Sequence, residues 1–229
     1  MIEWWMLLAL GSAVLFALRD VLVKRVFTHH EHPNPNHFLV VEYGFALLIV
    51  LVLFAPSIDV SSFATLWPFY LLKALSVASA GWLYFYLLED HEISVVSPLI
   101  NLSPLILLLL SSVILNEVIT LLQFMGILVI IASTYLLEMT KHQKKPNQAA
   151  TSWVAHMERL FLKDGMFFVQ VIILLLALSF AAIADKFILY EVNAFTNMFF
   201  TASLILLVMI AYYSKKVHFQ SLYQFLFRE

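Results

Sequence analysis

Asp20 and Lys24 stand four residues apart in a long apolar run, acid first, the favourable order for an ion pair on one helical face. Charges set in such runs are costly and mark functional candidates by default. That face continues back through Phe16, Ala13 and Ala9, the alanines small enough to let another helix approach closely. The competing reading is that Lys24 and Arg25 snorkel outward and Asp20 merely neutralises them. Lys73 is the single charge of its own run, on a face with Ser76, Ala80 and Tyr84. It needs a carboxylate, a substrate anion or water. A structural Glu42–Lys73 pair and a substrate-facing Lys73 are both open. In the aromatic group Trp82, Tyr84, Phe85 and Tyr86, packing or an interfacial belt is the ordinary role. Tyr84 is the member expected to face a cavity. Gly81, with Ala74 and Ala78, predicts a close helix contact instead.

Pro98 and Pro104 fall in one run and deprive the carbonyls of Ser94 and Ile100 of their helical partners. Ser97, Asn101 and Ser103 lie beside these gaps. Freed carbonyls plus an amide would make a hydrogen-bonding wall for a polar solute, or the polar side chains simply repair a kinked helix. Glu117 has a structural reading, in which Asn116 caps the next helix and the acid suits its positive end. The imidazoles of His29, His30 and His32, with His37 nearby, put no spaced pair on an expected helix, and Pro33 and Pro35 make the segment irregular, so it reads as a solvated loop and no metal site is expected.

The elements that must position these residues follow from composition. The chain has 229 residues, 62% hydrophobic and only 12% charged, with mean hydropathy +0.92, which excludes an ordinary soluble domain. It has no Cys, so thiol catalysis and Cys-ligated metals are out, and a net charge of −2 gives no footprint for nucleic acid. Apolar runs near twenty residues, rather than ten-residue alternation, predict an all-α transmembrane bundle and not a barrel. Seven spans are expected: Trp4–Phe27, Phe38–Ala55, Leu66–Leu88, Ile93–Leu115, Val118–Leu137, Met166–Ala184 and Val192–Ser214. The first lacks the basic leader of a signal peptide.

The chain also matches itself. Ala17-Leu18-Arg19-Asp20 pairs with Ala182-Ile183-Ala184-Asp185, Asn36-His37-Phe38 with Asn193-Ala194-Phe195, and Phe63 to Phe69 with Phe219 to Phe225. Three matches in one order suggest a duplicated five-helix unit. An odd number of spans per unit forces the second copy to enter from the opposite face, the inverted repeat of secondary transporters. The expected division is residues 1–138, a connector 139–165, and a partial second copy 166–229. On this reading the chain is a fragment, because its second copy ends where a third helix should begin. Asp185, the counterpart of Asp20, would then sit near the opposite membrane face, the two acids serving paired gates.

The run Ser97-Pro98-Leu99-Ile100-Asn101-Leu102-Ser103-Pro104, the turn Leu115-Asn116-Glu117-Val118-Ile119-Thr120 and the start Gln123-Phe124-Met125-Gly126 resemble the drug/metabolite transporter superfamily, EamA type. The resemblance implies ten helices as two inverted fives, carriage of small metabolites or export of toxic compounds, and a fourth helix lining the central cavity. Pro98, Pro104, Glu117 and Gly126 carry that pattern and read as structural. Glu42 departs from it, since such proteins often have a basic residue there.

In the connector, Trp153, Met157, Leu160 and Phe161 share a face, suggesting a short amphipathic helix on the membrane surface. Lys24, Arg25, the connector's basic residues, Lys215 and Lys216 fall on one side, which puts the N-terminus outside, whereas family habit puts it in the cytoplasm. The expected function is a secondary transporter or permease, efflux included, working by alternating access. Asp20, Lys24, Lys73, Tyr84, Asn101 and Asp185 would lie along its pathway. No cofactor is expected; the partners are a small-molecule substrate, the bilayer and a second copy in a homodimer. The setting is a prokaryotic cytoplasmic membrane. A membrane-embedded enzyme is the alternative, but no nucleophile, base or metal set converges in the sequence. A seven-helix receptor is third.

Overall fold

The computed structural model describes residues 4–29, 35–91, 93–116, 118–142 and 165–213. These are all-helical. In chain order they form α1 (Trp4–His29), α2 (Pro35–Phe54), a 3-10 turn (Ala55–Ser57), α3 (Phe63–Asp90), α4 (Ile93–Ile100), α5 (Ser103–Ile114) and α6 (Leu121–His142). After the connector come α7 (Gly165–Glu191) and α8 (Ala194–Tyr213). Among the described residues, four segments are long and apolar enough to cross a membrane: Asn36–Ser57, Phe63–Asp90, Gly165–Glu191 and Ala194–Tyr212. The first expected span is helical but carries Arg19, Asp20, Lys24 and Arg25. The fourth is two helices rather than one. The connector's amphipathic stretch, His30, His32, Glu117 and the match beyond Phe219 lie outside the described residues, whereas His37 is buried in the first turn of α2.

α3 is the central element, packed along α7 and against α8 and α2, while α2 lies on α8 and α5 on α7. Its small residues explain the position. Ala74, Ala78 and Ala80 are buried, and Gly81 meets α2 so closely that an added Cβ would lie 2.5 Å from Leu39 Cδ2. The main core gathers Leu39, Leu83, Phe85, Leu87, Leu174 and Ile205 from α2, α3, α7 and α8. A second cluster, Leu66, Tyr70, Ile188 and Phe200, closes the end where α3 begins and α7 ends. There the Asn193 carboxamide caps α8 by accepting from Thr196 N (2.8 Å) and donates to Ser57 O (2.7 Å). The Asp59 amide donates to Thr196 Oγ1 at 2.9 Å, so the α2–α3 loop is pinned to the α8 start. In that loop the Ser61 hydroxyl and amide donate to Asp59 and hold its carboxyl below the usual range.

Two corrections concern the helix ends. Pro98 sits within α4 and the chain breaks only once, at Asn101-Leu102, with Pro104 in the first turn of α5, where a missing amide costs least. Asn116 does not cap α6. It takes the left-handed conformation (φ 51°) just past α5, a position that tolerates Asn. Thr120 caps α6 instead: its Oγ1 accepts from Gln123 N at 3.3 Å, and Gln123 Oε1 accepts from Thr120 N at 2.9 Å. This reciprocal box is what the T-x-x-Q spacing encodes. Thr120→Ala is expected to cost about 1 kcal/mol, read as a lower thermal midpoint, with Thr120→Ser close to wild type.

Candidate functional site

The densest polar site joins α3, α7 and α8. Lys73 is 8% exposed and salt-bridged to Asp185 Oδ1. Its ammonium also donates to Asn197 Oδ1 at 2.9 Å, and Asn197 Nδ2 donates to the same Asp185 oxygen at 2.7 Å. Thr201, one turn further along α8, donates to Asn197 Oδ1 at 3.3 Å. A closed triangle of cation, carboxylate and amide results, with every bond reinforced by a charge or by a neighbour that holds its geometry. Asn197 and Thr201 are buried, whereas the Asp185 side chain is 36% exposed. The carboxylate therefore presents one side to the protein and one side outward.

Lys73 is thus not paired with Glu42, and the reason is packing. Lys73 reaches Asp185 on α7 and Asn197 on α8, while Glu42 on α2 accepts from Arg19 Nη2 at 2.5 Å. Arg19 also reaches Asp20 Oδ1 at 3.4 Å, and its guanidinium lies over the Phe85 (5.2 Å) and Tyr84 (5.8 Å) rings. Tyr84 is buried with its hydroxyl against Asp20. Tyr43 on α2 lies within electrostatic reach of Glu42, Arg19 and Asp185.

The expected Asp20–Lys24 pair does not form. Lys24 Nζ donates to the carbonyls of Leu88 (2.5 Å) and His91 (3.0 Å), where the α3 terminus offers unpaired acceptors and a negative dipole end. Lys24 therefore ties α1 to α3. Ala13 and Phe16 on the same face are exposed, whereas Val23 is buried. Asn101 is exposed at the α4–α5 break, where its amide N–H donates to Ser97 O at 3.3 Å. Pro104 and Gly126 line a groove on the far side of α7.

Sequence reasoning passed over Arg19, Asn197 and Thr201. The last two are polar residues four apart in an apolar span, a signal readable without coordinates.

A polytopic helical bundle with a part-buried ion pair between α3 and α7, and no strand among its described residues, defines an integral membrane protein built around an internal polar site. The model of the EamA-like transporter family matches residues 3–139, more than half of the chain, and the chain belongs to that family. It is accordingly a membrane transporter of small molecules, from a family of carriers and not of enzymes. No curated protein and no solved structure matches it.

Proposed function

We propose that the protein is a secondary transporter that moves small metabolites or toxic compounds by alternating access, with Asp185 and Lys73 at one gate and Asp20 near the other. The observation that carries this reading is that the Lys73–Asp185–Asn197–Thr201 network links α3, of the first repeat, to α7 and α8, of the proposed second. Carriers of inverted repeats work by rocking one repeat against the other, so contacts between halves must break and reform. An ion pair with one side open is suited to that: it holds the halves together yet can exchange its partner for a substrate group or water.

The levels of the two acids agree with paired gates. Asp185 meets α3 at Lys73 and Asp20 meets it at Tyr84, eleven residues on, which is about 16 Å along the helix axis. The packing of α2 on α8, the proposed counterparts, is what a two-fold relation would give to elements beside its axis.

The test is transport by the full-length protein in membrane vesicles, using a panel of radiolabelled amino acids, sugars and toxic organic cations. The expected result is saturable movement of at least one compound class, reduced at least about tenfold in Asp20→Asn and in Asp185→Asn, a factor equal to about 1.4 kcal/mol. Unchanged transport in both variants would sink the gate assignment, and no saturable movement of any class would sink the carrier.

A further inference from the structure

The Lys73–Asp185 pair is lopsided. The Lys73 side chain is 10% exposed and that of Asp185 36%. Both bonds to the carboxylate, from Lys73 Nζ and Asn197 Nδ2, end on Oδ1. Oδ2 accepts no hydrogen bond among the described residues. Asn197 has no acceptor to spare, because its Oδ1 already takes the Lys73 ammonium and the Thr201 hydroxyl. Lys73, Asn197 and Thr201 are all buried. Oδ2 is therefore the outward acceptor of the network.

An ionised group in a span faces the bundle interior or water rather than hydrocarbon. Asp185 lies in the spanning segment Gly165–Glu191. Tyr43, on α2 and packed against the main core, is within electrostatic reach of it. What the open side selects follows from which partner shows. The ammonium lies behind and the carboxylate in front, so the pair turns its negative end outward even though its charges cancel. A solute anion would meet Asp185 before it could reach Lys73, and is turned away. An acceptor oxygen takes an N–H or O–H, and a charged donor makes a hydrogen bond about twice as strong as a neutral one.

We propose that the open side of Asp185 takes a protonated primary or secondary amine, its N–H donating to Oδ2, and that the solute carried is of this class. The inference rests on Asp185 as a gate of the proposed carrier and adds the substrate class to it. A quaternary ammonium ion has the charge but no N–H, and is passed over. Binding also bears on the gate. An ammonium on Oδ2 draws on the same negative charge that holds Lys73, and so loosens the tie between α3 and α7.

The test is binding to the purified full chain in detergent, read by saturation-transfer NMR. The probes are propylammonium, tetramethylammonium, propionate and 1-propanol at matched ionic strength. Propylammonium should give a saturable signal, and the other three should bind at least about tenfold more weakly. Asp185→Asn should weaken propylammonium about tenfold, the difference between a charged and a neutral hydrogen bond. Lys73→Met should bind it at least as tightly as the wild type, since the carboxylate is then shared with no other cation. Should Asp185→Asn fail to fold, wild-type selectivity and Lys73→Met decide. Tetramethylammonium or 1-propanol bound as well as propylammonium overturns the proposal, the first in favour of plain cation attraction and the second of a neutral donor. Undiminished binding in Asp185→Asn overturns it too. A preference for propionate, or propylammonium binding lost in Lys73→Met, makes Lys73 the contact group and overturns it as well. If no amine binds while another class is transported, this inference fails and the carrier stands; amine binding without movement of any class sinks the carrier instead.

Discussion

Asp185→Ala is expected to cost about 3 kcal/mol of stability, and Lys73→Met only about 1, because the first strands a buried ammonium and the second leaves a carboxylate that is partly open. The asymmetry comes from exposure. Lys73 is 8% exposed and would be left with Asn197 Oδ1 alone against a buried ammonium. Asp185 is partly open to its surroundings and keeps the Asn197 Nδ2 bond when Lys73 is gone. Thermal midpoints of the two variants in one detergent measure the difference. Equal losses, or a larger loss in Lys73→Met, would mean that the pair is shielded on both sides and that Asp185 has no open face. The double variant Lys73→Met/Asp185→Leu separates structure from transport. Apolar replacement of a whole buried pair is often neutral, so its midpoint should return to within about 1 kcal/mol of the wild type. Its transport should stay as low as that of Asp185→Asn, since the polar side of the gate is gone. A double variant that regains both would make the network a packing device.

Much of the fold is legible because lipid leaves the backbone few choices. Apolar length places α2, α3, α7 and α8, and the small residues Ala74, Ala78 and Gly81 identify the face on which α3 is approached. The T-x-x-Q spacing contains a capping box that elementary helix chemistry could have supplied in place of Asn116. Partners are harder, because a run of hydropathy says where a helix lies and nothing about which neighbour it faces. Lys73 and Glu42 lie on adjoining helices in sequence, yet Lys73 pairs with Asp185 on α7 and Asn197 on α8. Asp20 and Lys24 have ideal spacing for each other. Lys24 finds a better partner outside its own helix, the open terminus of α3, while Asp20 keeps its neighbour Arg19 on α1 and meets Tyr84 on α3. Local rules rank local pairs; tertiary acceptors outrank them when a charge has no water to fall back on.

Gly81→Leu is expected to cost about 3 kcal/mol, and Gly81→Ala about 1, both through overpacking against α2. Leu39 is 1% exposed, so the side chain that must move lies inside the bundle and not at its surface. Its nearest atom, Cδ2, would stand 2.5 Å from the new Cβ, well inside van der Waals contact. Alanine can be admitted if Leu39 changes rotamer, whereas leucine must push α2 outward and with it Glu42, the partner of Arg19. Leu39→Ala in the Gly81→Leu background removes the obstruction and should recover most of the loss, although either change alone destabilises. Alanine also has a better helix propensity than glycine by about 1 kcal/mol, which acts in the opposite direction. The midpoint of Gly81→Ala therefore reports which term governs. A clear rise would mean that Leu39 yields freely and that α2 and α3 are not held at the distance their small residues set.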